Sequence, residues 1–130
     1  MRRPARTGWR TGGDVPLTPV EFHILLSLSD ADRHGYAILQ DVSERTGGQI
    51  QLRTGTLYTV IKRMLDGRWL EETEAAGGAE EDERRRYYRL TPLGRQVVKA
   101  EARRLQSLVA MAQDKRVLPG GRKAAPETGR

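Results

Sequence analysis

No cysteine occurs among the 130 residues. That absence removes disulfides, thiolate metal ligands and cysteine nucleophiles together. Aromatic residues are scarce: two Trp, four Tyr and one Phe. No apolar run approaches the roughly 20 residues that cross a bilayer as a helix. Arginines stand near the start, but no apolar stretch follows them, so the segment does not read as a secretory signal. A soluble, cytoplasmic protein is the expectation. The two histidines, His23 and His34, lie on different elements without ligand spacing, and a structural or capping role is expected of them rather than metal binding. The acidic run Glu80-Glu81-Asp82-Glu83 lacks the alternating spacing and glycine of a calcium loop. No glycine-rich phosphate cradle follows a strand, and no Ser and His share a recognisable catalytic setting. No cofactor is expected, and an enzyme is the class with least support.

The chain carries a formal net charge of +6, unevenly placed. Residues 1–16 hold Arg2, Arg3, Arg6 and Arg10 against Asp14, a net of +3. Residues 114–130 hold Lys115, Arg116, Arg122, Lys123 and Arg130 against Asp114 and Glu127, again +3. The stretch 17–113 is therefore neutral. Both ends are rich in Gly, Pro and Arg and poor in apolar periodicity, so they read as disordered basic arms. Such arms either strengthen nucleic-acid binding without choosing sequence, by counterion release, or only solubilise the chain.

Between the arms the apolar pattern has helical and strand periods in turn. Thr18-Pro19-Val20-Glu21 has the form of a capping box opening a first helix through Leu28, apolar on more than one face. Ser29 to Arg33 reads as a polar break. A second helix begins at His34-Gly35-Tyr36, with Tyr36, Ile38, Leu39 and Val42 as its buried side, and stops at Gly47-Gly48. Ile50 to Leu52 reads as an extended connection or short strand. The third helix starts near Thr54, placed to cap it, and has Leu57, Val60, Ile61, Met64 and Leu65 on one face. Gly67 ends it. Trp69 to Ala75 and Arg86 to Leu90 predict a β-hairpin around the acidic loop. Thr91-Pro92 then launches a fourth helix with an apolar stripe of Leu93, Val97, Ala100, Leu105, Leu108 and Ala112. A helix followed at once by a hairpin with a basic base is how a winged helix presents itself to DNA. The expected fold is α+β, mostly α: a winged helix-turn-helix of three helices plus a β-hairpin wing over 17–91, then a C-terminal helix over 92–113 left to meet a partner. The arms are 1–16 and 114–130.

In such a fold the third helix enters the major groove, its N-terminal turn foremost. Arg53 and Lys62 suit guanine or phosphate, while Thr54, Thr56 and Thr59 suit phosphate or the thymine methyl. Gly55 permits close backbone approach, and Tyr58 can set its hydroxyl on a phosphate. Each has a plainer reading too: Thr54 as a cap, Tyr58 as packing, Lys62 and Arg63 as a solvated face. Arg84, Arg85 and Arg86 can reach the neighbouring backbone or minor groove. The four carboxylates before them either pair with these arginines or keep the wing tip off DNA, leaving contact to the base; the second is favoured.

Leu17-Thr18-Pro19-Val20-Glu21-Phe22, His34-Gly35-Tyr36-Ala37-Ile38, Gly55-Thr56-Leu57-Tyr58, Met64-Leu65-Asp66-Gly67 and Arg86-Tyr87-Tyr88-Arg89-Leu90-Thr91-Pro92-Leu93-Gly94 together resemble PadR-type transcriptional regulators, over residues 17–113. The resemblance implies a winged-helix domain, homodimerisation through the C-terminal helix and repression at a palindromic operator. It implies that Tyr36 and the segment from Thr54 to Lys62 face DNA. It also implies a small hydrophobic effector, phenolic or flat, as a further partner. Two features depart from the family: Thr59 stands where proline is common, and the fourth helix has no aromatic residue to stack a flat ligand. The single C-terminal helix resembles the small members of the family. Two other readings stay open: a winged-helix protein-interaction module without specific DNA binding, favoured by the neutral core and acidic wing, and a small-molecule sensor at the dimer interface.

Overall fold

Thr18 starts the first helix. In the computed structural model, which describes residues 16–74 and 86–120, its hydroxyl accepts the Glu21 N–H at 3.1 Å. Its own N–H donates to the Glu21 carboxylate at 2.8 Å. This reciprocal pair satisfies two of the N–H groups that a helix start leaves open. With Pro19 in its first turn, α1 runs over Pro19–Ser27. Ile24 and Leu25 are fully buried, whereas Phe22 and Leu26 are only partly covered.

The remaining elements are β1 (Arg33–His34), α2 (Gly35–Arg45), α3 (Thr54–Asp66), β2 (Leu70–Thr73), β3 (Tyr87–Leu90) and α4 (Pro92–Asp114). The strand β1 falls where the sequence reads as a polar break. It pairs antiparallel with β3, Arg33 opposite Tyr88 and His34 opposite Tyr87, so the wing is part of a three-stranded sheet of order β1-β3-β2. Two residues cannot show a period-two pattern; β1 exists because β3 has a second edge to pair. Ile50 to Leu52 forms no strand. The Thr46 hydroxyl holds the start of that connection, donating to the Val42 carbonyl at 2.9 Å and accepting from the Ile50 N–H at 3.1 Å.

One core joins these elements. Ile38 and Val42 of α2 meet Leu57, Ile61 and Met64 of α3, and the sheet adds Leu70, Tyr88 and Leu90. Tyr36, read from the pattern as part of the buried side of α2, is instead 62% exposed. The buried line of that helix is Gly35, Ile38 and Val42, and Tyr36 lies about 100° round from Gly35 on the helix.

The end of α3 is tightly closed. Gly67 caps the helix but keeps a right-handed φ of −84°; the left-handed position falls to Arg68, with φ 67°. The Arg68 N–H reaches the Leu65 carbonyl at 3.0 Å and the Trp69 N–H reaches Met64 at 2.9 Å, the paired bonds of a Schellman end. Thr91 binds this turn to α4. Its hydroxyl donates to the Arg68 carbonyl at 2.6 Å and accepts the Gly94 N–H at 2.9 Å. A Cβ at Gly94 would overlap the Trp69 carbonyl oxygen and stand 2.9 Å from its carbon.

The helix α4 serves two purposes along its length. Its buried positions are Gly94, Val97, Val98 and Glu101, one step round from the stripe read in the sequence. Val97, expected on the dimer face, has no exposed surface and belongs to the chain's own core, against which Leu93 also packs. Ala100, Leu105 and Ala112 are half-buried, and Leu108 is exposed. The reason is length: 23 residues span about 35 Å, and the domain needs only the first turns to close its core. The helix runs to Asp114, and its end continues past the expected start of the tail. The Val117 N–H bonds the Ala112 carbonyl at 2.8 Å, and the Gln113 amide bonds the Pro119 carbonyl at 3.1 Å.

Candidate nucleic-acid interface

The helix α3 turns Leu57, Val60, Ile61 and Met64 into the core. At about 3.6 residues per turn, the direction opposite those four is taken by Gly55, Thr59, Lys62 and Asp66. Thr56 and Arg63 fall on one flank, Thr54 and Tyr58 on the other. Arg53, Thr54, Gly55, Thr56, Tyr58, Thr59, Lys62 and Arg63 are all exposed. The sequence places the cap at Thr54. In the structure Thr54 is already helical, and Arg53, with extended backbone, takes the N-cap without a side-chain hydrogen bond. The first N–H groups of the helix therefore receive no cap from that side chain, and an uncapped helix start is a favourable place for an anion. An open groove of about 530 Å³ runs along the flank, lined by Arg53, Gly55, Thr56, Thr59, Val60 and Arg63.

Lys62 reaches Asp66 at 3.6 Å, with both side chains well exposed. Such a contact is weak in water and yields readily to a phosphate. The wing is different. Arg86 pairs with Glu72 across the hairpin at 2.9 Å, and Arg89 pairs with Asp32 at 3.1 Å with Glu71 nearby. Cross-strand register accounts for the Glu71 contact, since Glu71 stands opposite Arg89, whereas Glu72 stands opposite Tyr88 and reaches Arg86 diagonally. Arg86 is paired with a carboxylate of the facing strand. Arg84, Arg85 and the four acids before them lie outside the described residues.

Tyrosines gather where α2, α3 and the sheet meet. Tyr36 stacks on the His34 ring at 6.5 Å, and Tyr87 meets the same ring edge-on at 5.3 Å. His34 Nδ1 accepts the Ala37 N–H at 3.2 Å and so caps α2. Burial, with the Tyr58 and Glu72 side chains near, pushes the Tyr88 phenol up. Tyr58 lies directly over Gly35: a Cβ there would stand 2.7 Å from the phenol carbon and closer still to the oxygen. Gly35 thus lets α3 seat on the start of α2. Sequence reading named Tyr36 and Tyr58 and missed Gly35, because the two sides of this contact are 23 residues apart.

Farther along α4, Leu108, Val109 and Met111 are exposed, as are Val117 and Leu118 beyond it. The run Leu108-Val109-Ala110-Met111 was the available signal for the two residues that the stripe omitted. Between this patch and the core sits Glu101, 3% exposed. Arg104 grips its two oxygens at 2.9 and 2.7 Å. That guanidinium holds the Glu101 carboxyl below the usual carboxylate range against its burial, helped by the Leu17 backbone N–H. Among the described residues no three His, Cys, Asp or Glu side chains gather as metal ligands. Nor, among them, is any helix long and apolar enough to cross a membrane.

A structure of a PadR family transcription regulator from Clostridium difficile R20291 matches 78% of this chain and all of its own, with a TM-score of 0.64 at 22% identity. A PadR-like transcriptional regulator from Bacillus cereus matches 78% of this chain and 92% of its own, with a TM-score of 0.62 at 20% identity. At these identities the likeness shows the fold, a winged helix. An uncharacterized protein of Lysinibacillus sphaericus is 36% identical over 72 residues, which are 55% of this chain and 64% of that relative. Residues 24–100 match the transcriptional regulator PadR-like family, and the chain belongs to that family.

Proposed function

We propose that the chain is a homodimeric, sequence-specific DNA-binding regulator that represses transcription through a pseudo-palindromic operator. The observation that carries this reading is α3. Its apolar face is spent on the core, and its outward face presents hydroxyls, a glycine and cations with no cap at its leading end. Phosphate contacts from Arg53, Thr54, Thr56 and Tyr58 position the helix, and Thr59 and Lys62 stand where base edges pass. Tyr36, exposed beside the start of α2, adds a hydroxyl to the backbone contacts. Arg84, Arg85 and Arg86 contribute at the base of the wing, with Arg86 first releasing Glu72. The dimer forms through the outer part of α4, where Leu105, Leu108 and Ala112 are joined by Val109 and Met111. Two recognition helices then stand about 34 Å apart, one turn of DNA. The activity is binding, not catalysis, in the cytoplasm; a small hydrophobic effector is a partner that the family suggests and no residue here specifies.

The test is binding of the purified protein to its own upstream region, titrated with salt and nonspecific competitor. Tight, competitor-resistant binding at a palindrome is expected. Lys62→Ala should lower the salt slope by about one if it touches phosphate alone, and should relax choice at particular bases if it reads sequence. The pairing of Arg86 and Arg89 with carboxylates favours a second reading, a protein-interaction module on the same fold. Binding that vanishes with competitor would support it and sink the operator.

A further inference from the structure

The described residues give Gly55 no reason to be glycine within the fold. Gly35 makes room for Tyr58 and Gly94 for the Trp69 carbonyl, while Gly47, Gly48 and Gly120 carry positive φ. Among the described residues a Cβ at Gly55 would meet nothing within 4 Å, and no left-handed φ calls for glycine there. Glycine inside a helix is unfavourable relative to alanine, so the residue lowers the stability of α3 for no gain in the free protein. Its position supplies the missing reason. It lies on the outward line with Thr59 and Lys62, and it opens the groove that Arg53 and Arg63 bracket.

We infer that Gly55 is a specificity-determining residue, the point at which a base-pair edge in the major groove comes into contact with the helix backbone. This deepens the operator reading and rests on it. A side chain at 55 would hold the helix away from the bases by the width of a methyl group, and Thr59 and Lys62 would lose their reach with it. Phosphate contacts from the flanks, made by longer and flexible side chains, would adapt. The glycine therefore contributes to choice of sequence and not to general affinity for DNA.

The test compares Gly55→Ala with the wild-type chain in three measurements: thermal stability, affinity for the operator, and affinity for a duplex of unrelated sequence. Stability is expected to be unchanged or raised, because the added methyl enters open space. Operator affinity should fall by about tenfold, the scale of one lost base contact, while affinity for the unrelated duplex changes less than about twofold. An unchanged operator affinity would overturn the inference. So would an equal fall on both duplexes, which would place a phosphate there, or a drop in stability, which would give Gly55 a role in the fold. A wild-type chain without operator preference would sink the operator reading and this inference together, whereas wild-type preference with an indifferent variant would sink this inference alone.

Discussion

The two ends of α3 are built on opposite plans. At the C-terminal end the helix is closed by its own chain: a Schellman turn ends it, Trp69 is buried, and Thr91 ties the turn to α4 through the Arg68 carbonyl. Gly94 leaves no space between α4 and that turn. At the N-terminal end Arg53 offers no cap, Gly55 fills no space and the threonines face outward. The closed end fixes where the helix points, and the open end is what it points. Residues that anchor an element are over-determined by their own fold, whereas residues meant for a partner look incomplete without one.

Four substitutions would break or sharpen this contrast. The largest effect is expected at the closed end: Gly94→Ala drives a Cβ into the Trp69 backbone and should cost about 3 kcal/mol or more, read as a lower denaturation midpoint. Glu101→Gln comes next, because it weakens the grip of Arg104 on the junction between the core and the outer part of α4. It should lower the Tm at pH 7 by more than either capping change below alters it. The sign of its pH dependence follows from a carboxyl held low in the folded state. The contribution is whole above the unfolded value of about 4.3 and is lost as pH falls through the lower folded value. The gap in Tm between wild type and variant should therefore close on acidification through that range.

Arg68→Gly relieves a left-handed φ at a residue with a side chain and should stabilise the chain by about 1 kcal/mol, leaving operator affinity as it was. Arg53→Ser gives α3 the cap it lacks. It should raise stability by about 0.5 kcal/mol in a denaturant titration while weakening DNA binding through the lost cation. An Arg53→Ser chain that gained in both stability and DNA binding would contradict this division of α3.

Much of the framework was legible because it depends on near neighbours in the chain. Thr18 with Glu21, Thr91 with Gly94 and the three- and four-residue spacing of Leu57, Val60, Ile61 and Met64 declare themselves within one or two helical turns. The outward face of α3 was legible for the same reason, being the complement of its apolar face. Misreadings arose where distance in sequence was bridged by packing. Val97 looks like a dimer residue until the core that covers it is known, and Tyr36 looks buried until Gly35 takes the inner position beneath Tyr58. The pairing of Arg86 with Glu72, at 2.9 Å, was likewise out of reach of any local pattern.

The sequence alone determined the order of helices and hairpin, the caps that begin α1 and α4, and the side chains that line the outer face of α3. Periodicity and capping are local, and one chain segment contains all their terms. Packing between distant segments settled that β1 exists, that α4 divides into a core half and an exposed half, that Arg86 and Arg89 are paired, and that Gly35 and Gly94 are filled while Gly55 is open. Those outcomes depend on which atoms arrive from elsewhere in the chain, and close packing admits no approximate answer to that.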